Sequence, residues 1–341
     1  MTKNDRQVIG ITLGDINGVG PEVVIKALLD SRILNLLTPV IFGSMTSISY
    51  YRKRLKIDDF SVYQLKEGQA PNLKKVNIVD CWQDDSEIKP GEATKESGKK
   101  ALLALEKACD YLEKGLIDGI VTAPINKATI QSDKFTFPGH TEYFGAKFAG
   151  NPLMFMISEN LRIAVASGHV QLKDVSQHIT SELIENSINR IIKSLKIDFG
   201  ITKPKIALLG LNPHSGEDGL LGKEEKEIIE PVINKYKEEG VLVYGPFPAD
   251  GFFGSGAHKK YDAILAMYHD QGLIPFKSLS FGQGVNFTAN LNLVRTSPDH
   301  GTGYDIAGKG TASESSLRNA IYLAVDILNN RIENNKAKSE T

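Results

Sequence analysis

Three histidines share one setting in this chain. His169, His214 and His269 each follow an apolar, strand-like run within a few residues, with a glycine or proline close by. Gaps of roughly 45 and 55 residues are too long for a zinc finger or an H-E-x-x-H helix. They suit one ligand per strand–helix unit, converging on one edge of a sheet. Three protein ligands leave coordination positions open for a substrate, as at a catalytic rather than a structural ion. Imidazoles without cysteine suit Zn²⁺, Co²⁺ or another borderline divalent ion. A lone loop histidine is more often a surface or hydrogen-bonding residue; the repeated setting is what favours a shared ion. The sequence leaves open whether one subunit supplies all three.

The last of these histidines lies in the stretch Tyr261 to Arg295, read as one wall of an active site. Its apolar run Ala263 to Met267 has the length of a buried strand. The run stops at Tyr268-His269-Asp270-Gln271-Gly272, which places His269 and Asp270 at a carboxyl edge, where α/β proteins keep ligand crevices. Lys277, Asn286 and Arg295 follow: two cations and an amide, suited to a phosphate or carboxylate. A further anion site is expected at Phe137-Pro-Gly-His140-Thr141-Glu142, where His140 and Thr141 open a helix whose first N–H groups point outward. Plain capping by Thr141 is the competing reading.

The elements that must position these residues alternate. Val8–Leu13, Pro39–Gly43, Val76–Asp80, Asp118–Ala123, Lys205–Leu209 and Val241–Tyr244 read as strands. Thr46–Leu55, Thr94–Lys114, Ile179–Leu195, Lys223–Glu239 and Glu314–Asn329 read as helices. That alternation predicts an α/β fold with a mostly parallel sheet. Leu153–Ser158 and Leu161–Ser167, separated by Glu159-Asn160, predict a hairpin that leaves the main sheet, as a second lobe or a dimerisation arm. After the first strand, Gly14, Gly18 and Gly20 do not make a G-x-G-x-x-G fingerprint, and no P-loop lysine follows. A tight turn holding Asp15 and Asn17 at a crevice is expected instead. The last residues, RIENNKAKSET, read as a fraying polar tail.

Composition excludes several classes. A formal net charge of −1 over 341 residues gives no case for nucleic acid or an anionic membrane. No apolar run approaches the roughly 20 residues of a membrane span. Two cysteines, Cys81 and Cys109, make no disulfide framework. With a first strand that begins almost at the N-terminus, the expectation is a cytoplasmic protein with reduced thiols.

The segments GDINGVGPE, VTAPINK, FPGHTEYF, LNPHSGEDGLLGKEE, YGPFPADGFF, YHDQGLIPFK and DHGTGYDIAGKG are specific. Through them the chain resembles the 4-hydroxythreonine-4-phosphate dehydrogenases of pyridoxal phosphate biosynthesis, from about Val8 to Asn330. The resemblance implies an isocitrate/isopropylmalate dehydrogenase-like fold of two α/β/α lobes with a central cleft. Residues 1–130 plus 285–330 would form a nucleotide-side lobe, 131–284 a dimerisation and metal-side lobe with the antiparallel strands, and 331–341 a tail. It implies a homodimer with its site at the subunit interface, a divalent metal (Zn, Mg or Co) on His169, His214 and His269, and NAD or NADP. Substrate contacts would be His140, Thr141, Lys277, Asn286 and Arg295. The HGTGYDIAGKG loop would place His300, Gly301 and Asp305 near the nucleotide. Asp250 and Asp270 are candidates for the general base by proximity to the motifs.

The activity implied is oxidation of 4-phosphooxy-L-threonine to 2-amino-3-oxo-4-phosphooxybutanoate, which decarboxylates to 3-amino-2-oxopropyl phosphate. Sister dehydrogenases of D-threonate or D-erythronate 4-phosphate need the same clamp without an amino-group site. Another relative, acting on an aromatic cis-diol carboxylate, needs no phosphate clamp. A metal-dependent phosphate-ester hydrolase would share the histidines and need no nucleotide loop.

Overall fold

The computed structural model describes residues 6–66, 68–83 and 87–339. Residues 1–5 and the last two residues of the expected tail lie outside the described set. The chain divides into two compact units, one of Met1–Gly150 with Asn292–Asn329 and one of Asn151–Leu291 with Asn330–Thr341.

In the first unit, β1 (Gln7–Thr12), α1 (Gly20–Leu28), β2 (Leu37–Gly43), α2 (Met45–Leu55), β3 (Val62–Gln64), β4 (Val76–Asp80), α3 (Lys95–Glu113), β5 (Gly119–Thr122) and α4 (His140–Lys147) follow in order. The second unit holds β6 (Leu153–Ser158), β7 (Leu161–Val165), α5 (Val175–His178), α6 (Ser181–Ile197), β8 (Ile206–Leu209), α7 (Glu230–Glu238), β9 (Val243–Phe247), α8 (Ala249–Gly254), β10 (Ala263–Ala266), α9 (His269–Ser280) and β11 (Val285–Ala289). The chain then returns to the first unit with β12 (Arg295–Pro298) and ends in α10 (Ser315–Ser339).

The first unit's strands lie in the order β3-β4-β2-β1-β5-β12, every pair parallel. Their carboxyl ends therefore share one edge, and so do the segments that leave β1, β5 and β12. Continuous apolar runs suit strands covered on both faces: Ile9, Ile11, Val40, Phe42, Ile78 and Val121 are all buried. Local signals set the helix starts. Pro21 occupies the first turn of α1, and Thr94 caps α3 by accepting from Ser97 N at 3.1 Å.

In the second unit the order is β11-β6-β7-β10-β8-β9. β6 is antiparallel to β11 and β7, whereas β7, β10, β8 and β9 run parallel. The expected hairpin is present as β6–β7, but it stays in this unit's sheet. Phe155, Ile157, Ile163 and Val165 are buried, so the pair is core rather than a projecting arm. The core beneath joins Met156, Ile163, Leu209, Phe252, Ile264 and Phe276.

Three local readings change. α9 was not legible as a helix, because Gly272 and Pro275 interrupt its pattern. Residues 225–229 form a π turn ahead of α7 where an uninterrupted helix was expected. Residues 331–339, expected as a fraying tail, continue α10: Arg331 Nε donates to Asp198 Oδ1 at 2.7 Å and Asn330 Nδ2 donates to the Asp198 carbonyl at 2.7 Å. Polar composition hid a helix held by its amides and guanidinium. No helix among the described residues is long and apolar enough to cross a membrane.

Candidate functional site

In the second unit, β7, β10 and β8 are consecutive parallel neighbours. His169 lies in the segment after β7, His269 begins α9 after β10, and His214 lies in the loop after β8, so all three leave one edge. The rings of His169 and His269 have centroids 5.4 Å apart with planes at 39°. His269 Nδ1 is 2.7 Å from Asp270 Oδ1, which leaves Nε2 as the ring's ligating nitrogen. Asp270 thus has a partner. Asp250, the other candidate base, is exposed in the first turn of α8.

His214 is not drawn into that pair: among the described residues no three His, Cys, Asp or Glu side chains stand close enough to hold a metal ion. Its loop is nonetheless built. His214, Ser215, Gly216, Glu217 and Asp218 all have positive φ, between 44° and 81°, a run that costs energy at each non-glycine residue. Two ties oppose that cost. Glu225, 1% exposed, accepts from Leu211 N and Asn212 N, both at 2.7 Å, through Oε1. Gln271 Nε2 donates to the Gly210 carbonyl at 2.6 Å, while Gln271 Oε1 accepts from Met267 N at 2.7 Å. Glu225 was missed from sequence because a helical carboxylate reads as solvated surface; Gln271 reads there only as part of the polar cluster that ends the 263–267 run, with no role assigned. Lys277 lies on α9 and Asn286 on β11.

The first unit carries an anion-seeking cluster. Gly139 is the N-cap of α4, so no side chain caps it, and His140 and Thr141 are its first two residues. Thr141 is therefore not the cap, which removes the competing reading of that segment. Arg295, 2% exposed, donates from Nε and Nη2 to Thr122 Oγ1 at 3.1 and 2.7 Å. Burial pushes its pKa down to about 9, against the pull of Glu142, so the guanidinium stays cationic at neutral pH. His140 and Arg295 flank the Phe144 ring, at 6.4 Å between ring centroids and 5.9 Å from guanidinium to centroid. Burial first, then Arg295 and Lys127, hold the His140 pKa well below its usual range. Lys127 and Thr122 were not singled out as site residues, although both lie in or beside the VTAPINK segment that ends β5.

The loop after β12 contains His300, Gly301 and Asp305. His300 Nδ1 bonds the Gly301 carbonyl at 2.9 Å, which puts the ring proton there and leaves Nε2 an acceptor. That Nε2 is buried with no hydrogen-bond partner, an unmet demand that a ligand donor would satisfy. Asp15 and Asn17 are not presented to a crevice: they are 0% and 2% exposed, and Asp15 Oδ1 accepts from Asn17 N at 2.9 Å. Both cysteines are raised to a pKa of about 12, chiefly by burial, so neither thiol is an activated nucleophile.

Comparison with known proteins places this geometry in context. The family model described as pyridoxal phosphate biosynthetic protein PdxA matches residues 35–324. A 4-hydroxythreonine-4-phosphate dehydrogenase of Bacteroides thetaiotaomicron is 49% identical over 326 residues, covering 95% of this chain and 89% of that protein. The enzyme of the same name from Prosthecochloris aestuarii is 40% identical over 329 residues, covering 94% and 97%. The crystal structure of the enzyme so named from Klebsiella pneumoniae superposes with a TM-score of 0.81 at 31% identity, covering 96% of this chain and 99% of that one.

Proposed function

The chain belongs to the family of the pyridoxal phosphate biosynthetic protein PdxA, and from that premise we propose that it is a nicotinamide-dependent dehydrogenase of 4-phosphooxy-L-threonine. The observation that carries the reading is the His169–His269 ring pair on segments that leave neighbouring parallel strands. The donor set fits a borderline divalent ion: two imidazoles side by side, one oriented by a carboxylate, with no thiolate among them. His169 and His269 would hold that ion with His214. Because Glu225 and Gln271 moor the His214 loop, we assign that third imidazole to a second copy of the chain. When bound, such an ion supplies Lewis acidity toward a substrate hydroxyl.

His140, Thr141 and Arg295 bind the phosphate and fix the distance from it to the carbon that is oxidised. Arg295 supplies charge and fork geometry, and the α4 N-terminus adds backbone donors. Lys277 and Asn286 are further substrate contacts. Asp270 orients His269, which leaves Asp250 to take the hydroxyl proton. His300, Gly301 and Asp305 receive the nucleotide, and the buried His300 Nε2 fits a ligand that brings a donor. A nicotinamide cofactor, NAD or NADP, supplies the hydride acceptor. The product, 2-amino-3-oxo-4-phosphooxybutanoate, is a β-keto acid and loses CO₂ to 3-amino-2-oxopropyl phosphate.

A homodimer belongs to this reading. Leu172, Leu220, Ile274 and Phe281 in the second unit are 75%, 80%, 62% and 85% exposed, large apolar side chains that a second copy would cover. The test follows reduced nicotinamide by absorbance with 4-phosphooxy-L-threonine and D-threonate 4-phosphate side by side, with each cofactor. Faster turnover of the threonine ester is expected. Preference for the threonate ester would move the chain to the sister activity. Phosphate release without nicotinamide reduction would make it a hydrolase.

A further inference from the structure

The glycine-rich segment after β12 is fastened along its length to the first turn and first two helices of its own unit. Val19 N donates to the Thr302 carbonyl at 2.8 Å. Arg54 Nε donates to the Gly308 carbonyl at 2.8 Å. Glu22, fully buried, accepts from Ala312 N at 3.0 Å and Gly310 N at 3.2 Å. Lys26, paired with Glu22 at 2.8 Å, donates to the carbonyls of Gly310 and Ala312. Space is closed as well: a methyl group on Gly18 would meet the Thr302 oxygen at 2.7 Å.

Within the span from His300 to Asp305, Tyr304 makes side-chain hydrogen bonds, one to Asp15 and others from the Asn126 and Thr302 side chains. The Tyr304 hydroxyl donates to Asp15 Oδ2 at 2.7 Å. Asp15 is 0% exposed, and its Oδ2 also accepts from Ser97 Oγ at 3.1 Å. A buried carboxylate met by hydroxyl and backbone donors is a stiff acceptor, because every alternative position leaves it unsatisfied. Burial, then the bond to Asp15, push the Tyr304 pKa up, so the phenol remains a donor through neutral pH.

We propose that the Asp15–Tyr304 hydrogen bond is the latch that holds the 300–305 turn in the shape that receives a nicotinamide nucleotide, which makes Tyr304 a positioning residue for cofactor binding. The proposal rests on the nucleotide reading of that loop. It accounts for a buried carboxylate in the GDINGVGPE turn that has no catalytic use: Asp15 acts on the cofactor through Tyr304.

The experiment uses the full chain and titrates NADH and NADPH by fluorescence, beside steady-state kinetics and thermal melts. Tyr304→Phe, which also gives up the weaker Asn126 and Thr302 bonds, should weaken dinucleotide binding on the order of tenfold, set mainly by the lost hydrogen bond to the charged Asp15. The kcat at saturating dinucleotide should stay within about twofold, with KM for the phosphorylated substrate unchanged. Asp15→Asn, whose amide oxygen can still accept from Tyr304, should retain most of the wild-type affinity. Unaltered dinucleotide affinity in a folded Tyr304→Phe protein overturns the latch. So does a joint loss of melting temperature, dinucleotide affinity and substrate affinity, which would make Tyr304 a general structural residue. If the wild-type chain binds neither dinucleotide, the nucleotide reading itself fails and the latch falls with it.

Discussion

The imidazole rings of His169 and His269 stand 5.4 Å apart on segments that leave adjacent parallel strands. One of the two is fixed by its neighbour: His269 Nδ1 lies 2.7 Å from Asp270 Oδ1. Carboxylate partners of this kind set the tautomer and orientation of a metal-binding ring, and their loss lowers affinity by about 10–100-fold. Asp270→Ala is therefore expected to weaken Zn²⁺ or Co²⁺ binding by that factor, and His269→Ala to abolish it. Asp270→Asn, which keeps an acceptor for Nδ1–H, should fall between. Chelator competition reads this without an activity assay. Equal affinity in wild type and His269→Ala would remove the metal from the account.

Arg295 and Thr122 form the second testable pair. The guanidinium spends Nε and Nη2 on the Thr122 hydroxyl, an arrangement that fixes how the cation faces an incoming anion. Arg295→Lys keeps the charge but loses the planar fork. It should raise KM for the phosphorylated substrate by about 10–100-fold, the range for a hydrogen bond between charged groups. Thr122→Val keeps the arginine and removes its mooring; a smaller rise in KM with kcat nearly unchanged is expected. Steady-state kinetics with inorganic phosphate as competitor checks both. Identical KM values across the set would place the phosphate elsewhere.

The alternation of strands and helices was legible because strands buried on both faces must be apolar runs, and Ile9 to Ile11 or Ala263 to Ala266 can be little else. The three strand-end histidines were legible for the same reason: each follows such a run within a few residues, beside a glycine or proline. Their topology was not. Sequence order gives no hint that β10 lies between β7 and β8 and so sets His269 between the segments of His169 and His214. Residues that act through the backbone were hidden as well. Glu22 and Glu225 are each at most 1% exposed and hold loops by accepting N–H groups, yet a helical carboxylate reads as solvated until its partners are known; Asp15, expected at a crevice, is instead buried and accepts from Asn17 N. α9 escaped notice because Gly272 and Pro275 break the pattern that its packing restores.

His140 gives the last prediction, a pH dependence with a definite sign. Burial, then Arg295, then Lys127 hold its folded-state pKa well below the usual 6.5. At any pH under 6.5 the unfolded chain therefore binds more protons at this residue than the folded chain does. Stability contributed by the neutral ring is complete above 6.5 and is lost as pH falls from there toward the depressed folded value. Replacing His140 with Asn removes the titration. Urea unfolding between pH 7.5 and pH 5, values on the order of the window in question, should show the wild type losing stability faster on acidification than His140→Asn. A saturating phosphorylated substrate or inorganic phosphate brings negative charge to the ring and should shrink that difference by raising the folded-state pKa. Parallel curves for the two proteins, with and without phosphate, would mean that His140 does not face the cationic pair in the folded chain.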